Sequence, residues 1–175
     1  MATTKWVIDP THSEIQFKVK HLVISTVTGA FNSFEGGVET ENEDFDGATV
    51  HFSADVESID TKQEQRDQHL KSADFFDAEN HPKLSFTGKL AKKGEDSYKL
   101  HGELTVKGTT KPVDFAVGYG GNMTDFYGNN KSGFELSGKI NRKEFGLEWS
   151  AVTEAGGVVV GDEVKLIANV QVVKQ

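Results

Sequence analysis

The chain has 175 residues, twelve phenylalanines, no cysteine, and 27 Asp and Glu against 19 Lys and Arg, for a net charge of −8. That length suits one domain over residues 1–175, and folding at this size removes roughly 70% of the unfolded chain's surface from water. The lack of cysteine excludes a disulfide framework, a thiolate zinc site, an iron–sulfur cluster and a cysteine nucleophile, and the acidic balance, with no basic block longer than Lys92-Lys93, argues against nucleic acid as a partner.

Met1 to Lys5 lead straight into Trp6-Val7-Ile8, without the apolar run and small-residue cleavage site of a secretory signal. A cytoplasmic location is therefore expected, or a periplasmic one if the sequence is a trimmed mature form. No stretch approaches the ~18 to 20 apolar residues of a membrane span, so no stable membrane insertion is expected.

From Glu14 to Lys20, Ile15, Phe17 and Val19 alternate with Glu14, Gln16, Lys18 and Lys20. This is the period of a strand with one dry face and one wet face. Shorter strands are predicted around Val23 to Phe31 and Phe34 to Glu39. Ala48 to Val56 alternates again, Leu84 to Leu90 is a shorter candidate, and Lys99 to Lys107 repeats the pattern through Leu100, Leu104 and Val106. Val113 to Val117, Phe134 to Ile140 and Val164 to Val172 bring the total to about eight or nine. Turns are predicted at Gly36-Gly37, Asp46-Gly47, Lys93 to Asp96, Gly108 to Pro112, Gly120 to Asn122, Gly128 to Asn130 and Gly156-Gly157. Connections this short favour antiparallel neighbours.

Thr61 to Phe76 is too long and too polar for a strand. Thr61-Lys62-Gln63-Glu64 has the form of a capping box, which predicts a helix of three to four turns at about 62–76. Its apolar residues are sparse, mainly Leu70, Ala73, Phe75 and Phe76, and Asn80-His81-Pro82 stops it. An antiparallel sheet with one apolar face and a single helix to cover it must close on itself or form a sandwich. Strands near ten residues favour closure into a barrel, which also removes the exposed edges. Eight strands leave an interior that is either filled by side chains or holds one small ligand.

The chain carries no nucleophile elbow, metalloprotease helix motif, phosphate loop or EF-hand. Gly118-Tyr119-Gly120-Gly121 has no helix after it to offer a phosphate, and reads as a turn. The histidines His12, His21, His51, His69, His81 and His101 are scattered. His51 and His101 fall on polar strand faces near Asp55 and Glu103, and read as solvated rather than as metal ligands. Arg66 and His69, three positions apart, share a face of the predicted helix. They read as a polar network anchoring the helix to the barrel rim, with an acid–base site as the alternative.

Several segments together resemble one known family. They are Trp6 to Phe17, Gly29-Ala30-Phe31 with Phe34-Glu35-Gly36, Arg66 to Leu70 followed by Asp74 to Asp77 and His81-Pro82, Gly102 to Gly108 with Lys111-Pro112-Val113, and Ile140 to Leu147. In this order, over essentially the whole chain, they look like the YceI-like proteins, lipid-binding proteins of bacteria. The resemblance implies an all-β, extended, eight-stranded antiparallel lipocalin-like barrel with one helix and an elongated apolar cavity. It implies no catalytic residues, no metal and no cofactor. As partner it implies a long-chain amphiphile, either a polyisoprenoid or isoprenoid quinone or a fatty-acyl compound, and it makes a homodimer plausible.

On that reading the cavity lining is assigned to Phe17, Val19, Val50, Phe52, Phe86 and Leu104, with Phe115, Phe134, Leu136 and Ile140. Phe31, Phe75 and Phe76 are assigned to the mouth. Two other readings stand beside the carrier: an enzyme acting on a bound amphiphile through Arg66 and His69, and a ligand-free interaction module with a solid interior. Alternation alone does not separate a filled core from a slot, because every inward strand position looks alike.

Overall fold

The computed structural model describes residues 3–21, 25–42, 44–73, 75–147 and 160–175. Along these run β1 (Thr4–Ile8), β2 (Glu14–His21), β3 (Ser25–Phe31), β4 (Phe34–Thr40), β5 (Thr49–Asp55) and β6 (Ile59–Asp60). They are followed by the helix α1 (Glu64–Lys71), then β7 (Lys83–Lys92), β8 (Ser97–Val106), β9 (Thr109–Thr124), β10 (Asn130–Asn141) and β11 (Val160–Lys174).

The eleven segments make eight staves. β1 and β2 lie along one edge of β11, with Trp6 to Ile8 opposite Lys174 to Val172 and Glu14 to Val19 opposite Asn169 to Val164. They are one stave interrupted at Pro10–His12, where proline has no ladder N–H to give and the Asp9 carboxylate accepts from Thr11 N at 3.0 Å. β3 and β4 form a second broken stave, since β3 pairs with β2 and β4 with β1. β5 and β6 form a third, pairing with β4 and β3 in turn. The second and third breaks are tied to each other by Ser33 Oγ donating to Asp55 Oδ2 at 2.8 Å and Asp55 N donating to Ser33 O at 2.9 Å.

From β5 the sheet continues through β7, β8, β9, β10 and β11, and β11 returns to β1 and β2. Every pairing is antiparallel and between successive staves, so the result is the closed up-and-down barrel expected from the sequence. The alternation is plainest in β8, where Tyr98, Leu100, Leu104 and Val106 are buried and Lys99, His101 and Glu103 are exposed.

Several local expectations are corrected. Gly36-Gly37 is not a turn but the middle of β4, where a Cβ on Gly36 would sit 2.6 Å from His51 O and one on Gly37 2.6 Å from Trp6 O. Those glycines let three backbones approach closely. Gly118 to Asn122 also belongs to a strand: β9 runs through it, with a register shift against β10 between Gly133 and Phe134. Gly108 does turn, with φ 76°, but Thr109 to Pro112 already pair with β8. β1 is a strand that the alternation does not predict. Gly156-Gly157 and Val23 lie outside the described residues.

The helix is shorter than the expected 62–76, and the capping box does not form. Gln63 caps the helix without a side-chain bond, Lys62 has φ 66°, and the Thr61 hydroxyl is engaged elsewhere. At the other end Ser72 is extended, and its hydroxyl donates to His69 O at 2.5 Å. The physical reason lies in Phe75 and Phe76. Adjacent helical residues point about 100° apart, so a continued helix would turn one ring away from the barrel. Leaving the helix, with Phe76 N donating to Leu70 O and Ala78 N to Lys71 O, lets both rings pack on the core.

One end of the barrel is closed by aromatic side chains. Phe45, from the β4–β5 connection and 4% exposed, sits 5.3 Å from Trp6, 6.0 Å from Tyr119 and 4.9 Å from Phe134 between ring centres. At the opposite end β5 loses its β7 partner beyond Asp55, and α1 packs beside β6.

Candidate functional site

The barrel encloses a cavity of about 570 Å³, within the range typical of small-molecule pockets. All eight staves contribute to its wall. Phe17 and Val19 come from β2, Phe31 from β3, Val50 and Phe52 from β5, Phe86 from β7 and Leu104 from β8. Phe115 stands on β9, Phe134, Leu136 and Ile140 on β10, and Phe75 and Phe76 follow α1. The structure thus places every one of the thirteen residues named from the sequence on one cavity wall.

The wall holds more than the thirteen. Ile15, Leu84, Leu90, Leu100, Val106 and Val117 line it too, as do Val164, Leu166, Val170 and Val172 of β11. Those on β2, β7, β8 and β9 share the strand parity of residues already named, and the four on β11 alternate among themselves, so the period-2 pattern could have found them. Ile8 and Val38, also on the wall, are less legible, because β1 is too short to show an alternation and the glycine pair in β4 reads as a turn. Along β11 the lining runs from Val164 to Val172, about 26 Å at ~3.3 Å per residue and about 20 Å along the axis of a barrel with strands tilted near 40°. The slot is elongated.

Its polar residues gather at the α1 end. Gln63 and Gln65 line the cavity and are exposed, as is Lys20 at the end of β2, so the cavity reaches the surface there. Thr61, Arg66, His69 and Leu70 share that mouth. The Thr61 hydroxyl donates to Asp67 Oδ1 at 2.5 Å, and the same carboxylate oxygen accepts from Thr61 N at 2.8 Å. Thr61 in turn receives Arg66: Nε donates to Oγ1 and Nη2 to the carbonyl oxygen, both at 2.7 Å. Asp67 therefore fixes Thr61, and Thr61 fixes the guanidinium. The His69 ring stands edge-on to Phe75, with centres 5.2 Å apart.

Arg142 also borders the cavity and is 2% exposed. Nε donates to Gly161 O at 2.8 Å and Nη1 to Leu147 O at 2.5 Å, while Nη2 lies 3.6 Å from Asp162 Oδ1. Burial lowers its pKa, opposed by the Asp162 carboxylate. It was not singled out from the sequence, where a lone Arg after a strand gives no sign of being buried. His51 and His101 are on outer faces as expected. His101 is bonded through Nδ1 to Asp114 on the neighbouring strand, and that bond, with Lys99, draws the Asp114 pKa below its ordinary value.

An eight-stave barrel around an elongated apolar cavity, sealed by aromatics at one end and rimmed with polar groups at the other, defines a calyx able to hold an elongated guest. Among the described residues no helix is long and apolar enough to cross a membrane. The chain belongs to the YceI-like family, whose domain model matches residues 6–172. It is 36% identical over 169 residues to a UPF0312 protein of Staphylococcus epidermidis, covering 96% of each chain. Among solved structures it resembles BcnA of Burkholderia cenocepacia, with TM-score 0.81 at 22% identity over 94% of this chain and 98% of that one. It also shares its fold with a polyisoprenoid binding domain from Saccharophagus degradans, with TM-score 0.71 at 15% identity over 97% and 98% of the two chains.

Proposed function

We propose that this protein binds and carries a long-chain amphiphile, holding the chain in the barrel and the head group at the α1 end, without transforming it. The observation that carries this reading is the continuous apolar wall drawn from all eight staves. A tail in such a slot needs no directional chemistry: ten methylenes moved out of water are stabilised by ~8 kcal/mol at about 0.8 each, before association costs are subtracted. The thirteen residues named from the sequence would touch the tail along its length, with Phe31, Phe75 and Phe76 nearest the head. Membership of the YceI-like family supports a lipid ligand, and the shared fold with the Saccharophagus polyisoprenoid binding domain suggests a polyisoprenoid as one form of it.

Native mass spectrometry of gently purified protein tests the reading. A mass above the bare chain, or uptake of added farnesol or hexadecan-1-ol at one per chain, is expected. The bare mass in every preparation, together with no uptake of either probe, would overturn it in favour of a ligand-free module.

A further inference from the structure

The charges on the cavity wall have one sign. In a protein of net charge −8 with 27 acidic residues, no Asp or Glu is among the described residues lining the cavity, whereas Lys20, Arg66 and Arg142 are. Of these, Arg66 is the one held in a fixed orientation at the mouth. It is half-buried at the mouth, and its orientation is set by the two bonds to Thr61, itself held by Asp67. A guanidinium carries five N–H donors; Thr61 takes two, and no described residue takes the other three. Among the described residues no carboxylate pairs with Arg66: Asp67 is engaged by Thr61, and Glu64 is exposed and off the wall. A preoriented, half-buried guanidinium with unused donors beside an apolar slot matches a planar or tetrahedral oxyanion.

We propose that Arg66 is the head-group anchor of the cavity, and that the preferred guest is a long-chain amphiphile ending in an oxyanion, a carboxylate or a phosphate, rather than a neutral quinone or alcohol. This rests on the carrier reading above and narrows it. Thr61 and Asp67 are positioning residues, since they act on the guest through Arg66.

The test uses matched pairs that share a tail: hexadecanoic acid against hexadecan-1-ol, and farnesyl phosphate against farnesol, titrated calorimetrically at pH 8. The wild-type protein should bind the ionised member of at least one pair about tenfold more tightly or better, as expected when a guanidinium–hydroxyl contact becomes a guanidinium–oxyanion ion pair. Preference in the first pair alone assigns a carboxylate, and in the second alone a phosphate. Arg66→Gln should erase the preference, bringing the ionised member of each pair down to the level of its alcohol, and Arg66→Lys should retain part of it. In the wild type, raising the salt concentration should narrow the preference without weakening the alcohols, a readout that needs no variant. Equal binding within both pairs, or a preference that survives Arg66→Gln, would overturn the anchor and leave the carrier reading standing. Failure of all four probes to bind to protein whose native mass is that of the bare chain would overturn both.

Discussion

Phe17 and Gly29 face each other across β2 and β3, and the ring of one occupies the space a side chain on the other would need. A Cβ on Gly29 would lie 2.2 Å from Phe17 Cζ and within 2.9 Å of two further ring atoms. Phe31 stands 5.7 Å from that ring between centres, and the open side is the cavity that Phe17 lines. Gly29→Ala should therefore push Phe17 into the cavity or off its rotamer, at about 1–3 kcal/mol. Urea unfolding should show a lower midpoint at unchanged slope, and the variant should take up less farnesol than the wild type.

The aromatic floor makes a contrasting pair of predictions. Phe45→Ala removes a ring that touches Trp6, Tyr119 and Phe134, and should cost about 3–5 kcal/mol. Trp6→Phe should cost far less, under about 1.5 kcal/mol. The Trp6 Nε1 is buried without a hydrogen-bond partner among the described residues, and deleting an unsatisfied donor returns about 1–3 kcal/mol against the lost ring volume. Chemical denaturation of the two variants side by side checks the ordering.

The inward face of the barrel was legible because a strand's period is 2 wherever one side is dry, as at Phe17, Phe52, Leu104 and Phe134. What failed to show was everything set by contact between distant segments. Gly36 and Gly37 look like turn residues until the backbones of Ile8's stave and of His51 are seen to press on them. Thr61 and Glu64 have the spacing of a capping box, but the Thr61 hydroxyl instead donates to Asp67 and accepts from Arg66 Nε. The pairing of His101 with Asp114 follows from cross-strand register, which a single strand does not specify. At the mouth, Arg66 was visible as a residue of interest but not in its role, because a half-buried guanidinium and an exposed one read alike in sequence.

Acid should weaken the broken first stave. The Asp9 carboxylate accepts from Thr11 Oγ1 at 2.6 Å and bonds to His12 Nδ1 at 2.8 Å, with Lys131 Nζ at 3.4 Å. These bonds, that from the Thr11 side chain foremost, hold its pKa well below the usual 3.8. A carboxyl depressed in the folded state contributes stability above its unfolded pKa, and that contribution is lost as pH falls toward the folded value. Stability should thus decline from about pH 4 downward, and Asp9→Asn should flatten that part of the profile while lowering stability at pH 7 by about 1–2 kcal/mol. Urea midpoints between neutral pH and pH 2 report both.

Leu104 offers the most direct way to close the slot without opening the barrel. It is buried on β8, paired with Phe86 on one side and Lys111 on the other, and its side chain is part of the cavity wall. A tryptophan there has empty space to enter, so Leu104→Trp should keep the fold at an overpacking cost of no more than about 1–3 kcal/mol, or about 2–4 °C in Tm per kcal/mol for a chain of this size. Because the slot is elongated and narrow, an indole part-way along it should abolish uptake of farnesol and hexadecan-1-ol. Phe126→Ser serves as the control, since Phe126 stands fully exposed at the β9–β10 turn, away from the cavity wall, and should leave uptake unchanged. Circular dichroism confirms the fold in each, and undiminished uptake by the tryptophan variant would place the guest outside the barrel.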